Sequence, residues 1–261
     1  MENFKAGWRP DPGHLIYKKF DQNKLALAGP STKDVDLRSY SPFRHNQKQT
    51  SSCVANGTTK ALEIKNCIKN GVNNYVALSV LDLYWNARNL MSPPEIDKDQ
   101  GTNIYLACQV LREHGICRDE LFPFETNTVF QKPTIMSERE NRLNRISAEL
   151  KINSTGQQRI DDMIFNLQAK NPIIFGTLVG QTWFDYTPSS KPIGIETKPE
   201  GGHCMCVVGY VGGCFIVENS WGTSWGIDGF AFVDPSVFAD GTITTDMWVI
   251  TDGSEAWKEV V

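Results

Sequence analysis

Cys53 follows Ser51-Ser52 and opens the run Cys53-Val-Ala-Asn-Gly-Thr-Thr-Lys-Ala-Leu-Glu-Ile-Lys-Asn-Cys-Ile-Lys69, whose apolar residues recur at three- and four-residue intervals before Asn70-Gly71. That pattern predicts an amphipathic helix with a serine cap before it and a glycine stop after it. A thiol in the first turn of a helix meets unpaired backbone N–H groups and the positive end of the dipole, which favour the nucleophilic thiolate. The competing reading is a buried cysteine packed as a small hydrophobe, and it is adopted for Cys67, Cys108 and Cys214. For Cys53 by itself the two readings are level.

A base and its partner separate them. His203 follows Gly201-Gly202 and opens a strand-like run at 204–210, while Asn219 stands at the end of the next run, 214–218, beyond a Gly212-Gly213 turn. A hairpin would bring the two side chains together. The amide oxygen of Asn219 is then expected to accept the Nδ1–H of His203 and leave Nε2 facing the sulfur. His14, His45 and His114 are read as surface or satisfied core histidines. His203, Cys204, Cys206 and Cys214 also offer four soft ligands for zinc, but strand alternation puts Cys204 and Cys206 on one face and His203 on the other. No metal and no cofactor are expected.

The elements that must position these groups follow from periodicity. Helices are predicted at 53–69, 79–89, 102–114, 137–149 and 157–170, and strands at 173–179, 204–210, 214–218 and 229–233. Helices first and strands afterwards indicate an α+β fold in two lobes, with an antiparallel sheet in the second and a cleft between them. The 261 residues suffice for that core, and a net charge of −4 supplies no basic surface for nucleic acid. No secretory signal or membrane span is visible, and seven irregularly spaced cysteines suit a reducing compartment, so a cytoplasmic, monomeric protein is expected.

Three blocks carry a resemblance. Gln47-Lys-Gln-Thr-Ser-Ser-Cys53-Val-Ala55, His203 with Val207-Val-Gly-Tyr210, and Asn219-Ser-Trp-Gly222 with Trp225-Gly226 and Gly229 resemble the signature blocks of the papain-like cysteine peptidases. Further matches extend it over roughly residues 35–250. The resemblance implies a papain-like two-lobe fold over 35–261, helical at about 45–130 and mainly β at about 131–250, behind an N-terminal arm or short propeptide at 1–34. It implies an endopeptidase acting on peptide or protein substrates through a Cys53 thioester, with His203 as general base and acid and Asn219 orienting it. Gln47 and the Cys53 backbone N–H would hold the oxyanion, and Trp221 would shield the His203–Asn219 bond. Gly101 and Thr102 would carry substrate backbone, with Gly202 beside the histidine and Gly176 in the wall of a pocket.

Departures from the family pattern stand at Lys48 and Ser51, where glycines are usual, and at Thr50, where many relatives carry a half-cystine. The stretch Gly7-Trp-Arg-Pro-Asp11 resembles the short N-terminal segments of bacterial members, which suggests a bacterial or phage origin. With anchors at Phe4, Trp8, Leu15, Ile16, Tyr17 and Phe20, the arm is expected to dock in the cleft and inhibit the enzyme as a zymogen. Two other readings keep the fold: an amide hydrolase or transamidase on a non-protein substrate, and a catalytically silent binding protein.

Overall fold

The computed structural model describes residues 5–12 and 34–251; the anchors expected at Phe4, Leu15, Ile16, Tyr17 and Phe20 lie outside them. A seven-stranded sheet comprises β1 (Val35–Asp36), β2 (Ala148–Lys151), β3 (Ile173–Val179), β4 (Gly201–Val211), β5 (Cys214–Glu218), β6 (Phe230–Val233) and β7 (Thr244–Thr251). Its order is β2-β7-β3-β4-β5-β6 with β1 on β4, and every pairing is antiparallel. The runs Ile173–Val179 and Cys214–Glu218 form strands where their β-branched and aromatic residues place them. Gly212 and Gly213, at φ 59° and 84°, make the two-residue β4–β5 turn that only such conformations close without splaying the strands. β4 begins at Gly201, because Gly201 and Gly202 still pair with Val179 and Leu178. His203 therefore sits inside the strand and not at its start.

The helices are α1 (Cys53–Asn70), α2 (Val80–Asn89), α3 (Ile104–Glu113), α4 (Ile135–Glu140), α5 (Gly156–Gln168), α6 (Gln181–Phe184) and α7 (Pro235–Ala239). Ser79 caps α2 by accepting the Asp82 N–H at 3.1 Å, and Asn103 caps α3 by accepting the Leu106 N–H at 2.9 Å. The helix predicted at 137–149 does not form as such. It stops at Glu140, and Ala148–Lys151 becomes β2, in which Leu150, with the flanking Ile146 and Ile152, is buried in the core while the backbone pairs with β7. Long-range pairing outweighs the helix propensity of this glutamate- and arginine-rich stretch.

The amphipathic stripe expected on α1 is replaced by burial on every side of residues 53–65. This helix packs on β3 and β4 and against α2 and α3. Gly57 allows the approach to β4: a Cβ there would lie 3.2 Å from Cys204 Sγ. The charged groups inside α1 are paired, as burial demands, while the Thr58 and Thr59 hydroxyls have no hydrogen-bond partner among the described residues. Lys60 Nζ donates to Glu63 Oε2 at 2.8 Å, His45 Nε2 lies 3.0 Å from the same oxygen, and Lys65 Nζ donates to Asn171 Oδ1 at 2.8 Å. Gly71, at φ 85°, ends the helix as predicted. Ser52 does not cap it; its hydroxyl lies 2.6 Å from Thr50 Oγ1 and accepts from Asn56 Nδ2.

Candidate active site

Cys53 is the first residue of α1 and is fully buried. β4 carries His203 and the chain leaving β5 carries Asn219, so the hairpin delivers the pair foreseen from the sequence. The nitrogen that meets Asn219 differs from expectation. His203 Nε2, not Nδ1, lies 2.8 Å from Asn219 Oδ1. Set inside β4, the ring reaches across to Asn219 with its outer nitrogen. The same Asn219 oxygen accepts the Ser220 N–H at 2.7 Å, and the Trp221 ring stacks on the imidazole at 4.8 Å between centroids and 20° between planes. Trp221 is held in turn by an edge contact with Trp225, whose Nε1–H donates to the Trp183 carbonyl at 2.9 Å.

Gln47 is positioned by Ser220, a residue the sequence reading did not single out. Ser220 Oγ donates to Gln47 Oε1 at 2.8 Å, and the Gln47 N–H donates to the Ser220 carbonyl at 2.8 Å. That fixes which end of the amide is the donor. Gln47 Nε2 gives one hydrogen to the Thr50 carbonyl at 2.9 Å and directs the other at the Lys5 carbonyl, 3.4 Å away. Lys48, where the family pattern has glycine, adopts φ 51°, so the backbone keeps a conformation that glycine reaches most readily.

Residues 5–12 run through this site. Gly7 lies against Cys53, close enough that an added Cβ would stand 3.0 Å from the sulfur and 2.1 Å from the Ser51 carbonyl oxygen. The Gly7 N–H donates to the Gly202 carbonyl at 3.2 Å, the Thr102 N–H to the Gly7 carbonyl at 3.0 Å, and the Arg9 N–H to the Thr102 carbonyl at 2.9 Å. Trp8 pairs with Thr102 in parallel. Its indole fills the space left by two missing side chains: a Cβ on Gly176 would meet it at 2.1 Å and one on Gly202 at 2.8 Å. Gly101, at φ 81°, leaves no room for a Cβ beside the Gly7 carbonyl. Gly101, Thr102, Gly176 and Gly202 thus converge on one strip and one pocket.

Beneath the indole lies a buried charge cluster that the sequence reading missed. Trp8 Nε1–H donates to Asp246 Oδ2 at 3.2 Å, and the Asp11 N–H reaches the same oxygen at 3.0 Å. Lys151 Nζ donates to Asp246 Oδ1 at 2.7 Å and to Asp11 Oδ2 at 2.8 Å. The available signal was a lysine in β2 and an aspartate in β7 just before the apolar run Met247–Ile250. Nothing local joins positions so far apart in sequence.

Burial decides the charge state here. It pushes the Cys53 thiol up to about 12 despite opposing backbone N–H groups at Cys204, Val54 and Gly7. It lowers the His203 imidazole to about 4 against the raising effect of Asn219. With residues 5–12 seated, burial thus disfavours the charged form of both groups. Asp11 rises to about 6 through burial and the neighbouring Asp246. As for zinc, Cys204 Sγ faces α1 at Gly57 while His203 turns to Asn219, and no group of three or more acidic, histidine or cysteine residues among those described could hold a metal.

Residues 31–248 match the family model of the papain family cysteine proteases. A peptidase C1-like protein of Acanthamoeba polyphaga mimivirus is 26% identical over 245 residues, covering 89% of this chain and 74% of its own length. Among solved structures, xylellain, a cysteine protease from Xylella fastidiosa, superposes with a TM-score of 0.79 at 24% identity over 96% of this chain and 97% of its own. A digestive procathepsin L 3 of Tenebrio molitor larval midgut superposes at 0.71 with 18% identity over 95% and 76%. These likenesses bear out the α+β, papain-like fold.

Proposed function

The chain belongs to the papain family of cysteine proteases and is a hydrolase; from that premise we propose that Cys53 is its nucleophile and His203 its general base and acid. Asn219 is the orienting residue, and Gln47 with the Cys53 N–H forms the oxyanion site. The observation that carries this reading is that one peptide segment, residues 5–9, rests on Cys53 with a carbonyl facing Gln47 Nε2, beside a His203 fixed by Asn219. With Nε2–H held by Asn219, Nδ1 takes the thiol proton as sulfur attacks the substrate carbonyl. The oxyanion gathers between Gln47 Nε2–H and the Cys53 N–H, and Nδ1–H then protonates the leaving amine. Water activated by Nδ1 releases the acid from the thioester, and the proton returns to sulfur.

Residues 1–34 form, on this reading, an inhibitory arm on a peptidase domain at 35–261, helical at about 45–130 and mainly β at about 131–250. The arm crosses the thiol in mid-chain, from Lys5 on one side to Asp11 on the other, which supports internal cleavage of peptides. A monomer in the cytoplasm suits seven cysteines that are all free thiols. No helix among the described residues is long and apolar enough to cross a membrane. The test compares hydrolysis of a fluorogenic peptide by the full chain, by Cys53→Ala and by a chain beginning at Asp34, with thermal melting as control. We expect Cys53→Ala to be inactive and the shortened chain to be faster than the full one. Activity in Cys53→Ala would refute the nucleophile, and equal rates in the two folded chains would refute the arm.

A further inference from the structure

We propose that Asp246 is a specificity-determining residue, selecting peptides with tryptophan beside the residue that lies on Cys53. This rests on the reading above of Cys53 as nucleophile and of residues 5–12 as a displaceable occupant of the cleft. A peptide threaded past the thiol puts the side chain next to the one at the sulfur between Gly176 and Gly202, where Trp8 now sits. The glycines give that slot the width of a bicyclic ring. Gly176 of β3 is also the register partner of Asp246 on β7, so the missing Cβ opens the path by which an indole reaches the carboxylate.

The floor of the slot sorts side chains by what their tips carry. When the arm leaves, Asp246 loses the N–H groups of Trp8 and Asp11 from Oδ2 and keeps Lys151 on Oδ1. Asp246 and Lys151 are both buried with the arm seated, so any side chain that fills the slot again covers the vacated oxygen and must satisfy it or leave it without a partner. An indole N–H from substrate refills it. Phenylalanine or leucine fills the slot and strands the oxygen, the mismatch that polar sites reject most strongly. Arginine or lysine brings a second cation against the Lys151 ammonium.

The test uses the full chain carrying Trp8→Ala, which empties the slot. Peptides identical except at one residue carry tryptophan, its isostere 3-benzothienylalanine with sulfur replacing the N–H, phenylalanine or arginine, and mass spectrometry reads the cleaved bond. We expect cleavage at a fixed distance from tryptophan, with kcat/KM about tenfold or more above the benzothienyl twin. In the further double substitution Asp246→Leu, Lys151→Met, which exchanges the buried pair for apolar side chains, the ratio should fall to about one. Equal cleavage of the twins by the Trp8→Ala chain would overturn the proposal, and that comparison decides even if the double substitution fails to fold. A ratio that survives the double substitution would overturn it too. Cleavage without tryptophan preference contradicts this inference alone, whereas cleavage of none of the peptides contradicts the peptidase assignment beneath it.

Discussion

At Cys53 burial and reactivity oppose each other. The helix start favours a thiolate, yet under Gly7 burial pushes the thiol up to about 12 and His203 down to about 4, so the docked state disfavours the charged pair. Iodoacetamide should therefore label Cys53 of the full chain slowly at pH 7. Trp8→Ala removes an indole whose burial contributes about 2–3 kcal/mol, and should speed labelling roughly ten- to hundredfold; unchanged labelling, read by mass spectrometry, would mean that the arm does not govern the thiol. On the proposed oxyanion role, Gln47→Ala should lower kcat about 10²–10³-fold, because Ser220 holds the amide in a preset position. Asn219→Ala should lose less than removal of His203, since the base stays present but is less well held. Cys53, His203, Asn219 and Gln47 were legible in the sequence because their neighbours form motifs. The nitrogen of His203 that faces Asn219 was not, because it depends on the residue lying inside β4. Asp246 and Lys151 were not legible either, since a charge in a strand reads as a solvated face until tertiary pairing buries it.

At the scale of elements, α1 shows why a helix of weak formers persists: it is the shared core of the molecule, and its internal charges are matched. Burial by itself would raise the Glu63 carboxyl, but Lys60 and His45 outweigh it and hold the group down at about 2. A carboxyl depressed in the folded state stabilises fully above its ordinary value of 4.5 and loses that contribution as pH falls toward 2. The shift corresponds to roughly 3 kcal/mol. Glu63→Gln, which also weakens the bond to the Leu78 N–H, should lower stability by about that amount at pH 7, with the gap to the parent closing between pH 4.5 and 2. A pH-independent gap in urea melts would place the loss in packing and not in charge. The hairpin through Gly212-Gly213 was readable because its turn chemistry is local. The end of the 137–149 segment was misread because Ala148 and Glu149 join β2, whose pairing is set by β7, about a hundred residues further on.

For the whole molecule, the sheet lends His203, Gly176, Gly202 and Asp246, the helical half lends Cys53, Gly101 and Thr102, and residues 5–12 span both. The arm holds by backbone pairing to Thr102 and Gly202, by the indole in its glycine-walled slot, and by Asp11 in the Lys151–Asp246 cluster. Asp11→Asn leaves the Lys151–Asp246 pair intact and removes only the arm's charge, so it should raise peptide hydrolysis by the full chain at pH 7 if that contact helps hold the arm; a rate no higher than the parent's would assign the grip to Trp8 and the backbone. The measurement closest to the centre is acyl-enzyme trapping: a peptide ester is mixed with the Trp8→Ala chain, quenched in acid within the first turnover, and mapped by mass spectrometry. The acyl group should be found as a thioester on Cys53, at up to one per chain, and be absent from Trp8→Ala, Cys53→Ala. An acyl group on any other residue, or turnover persisting without Cys53, would contradict the mechanism.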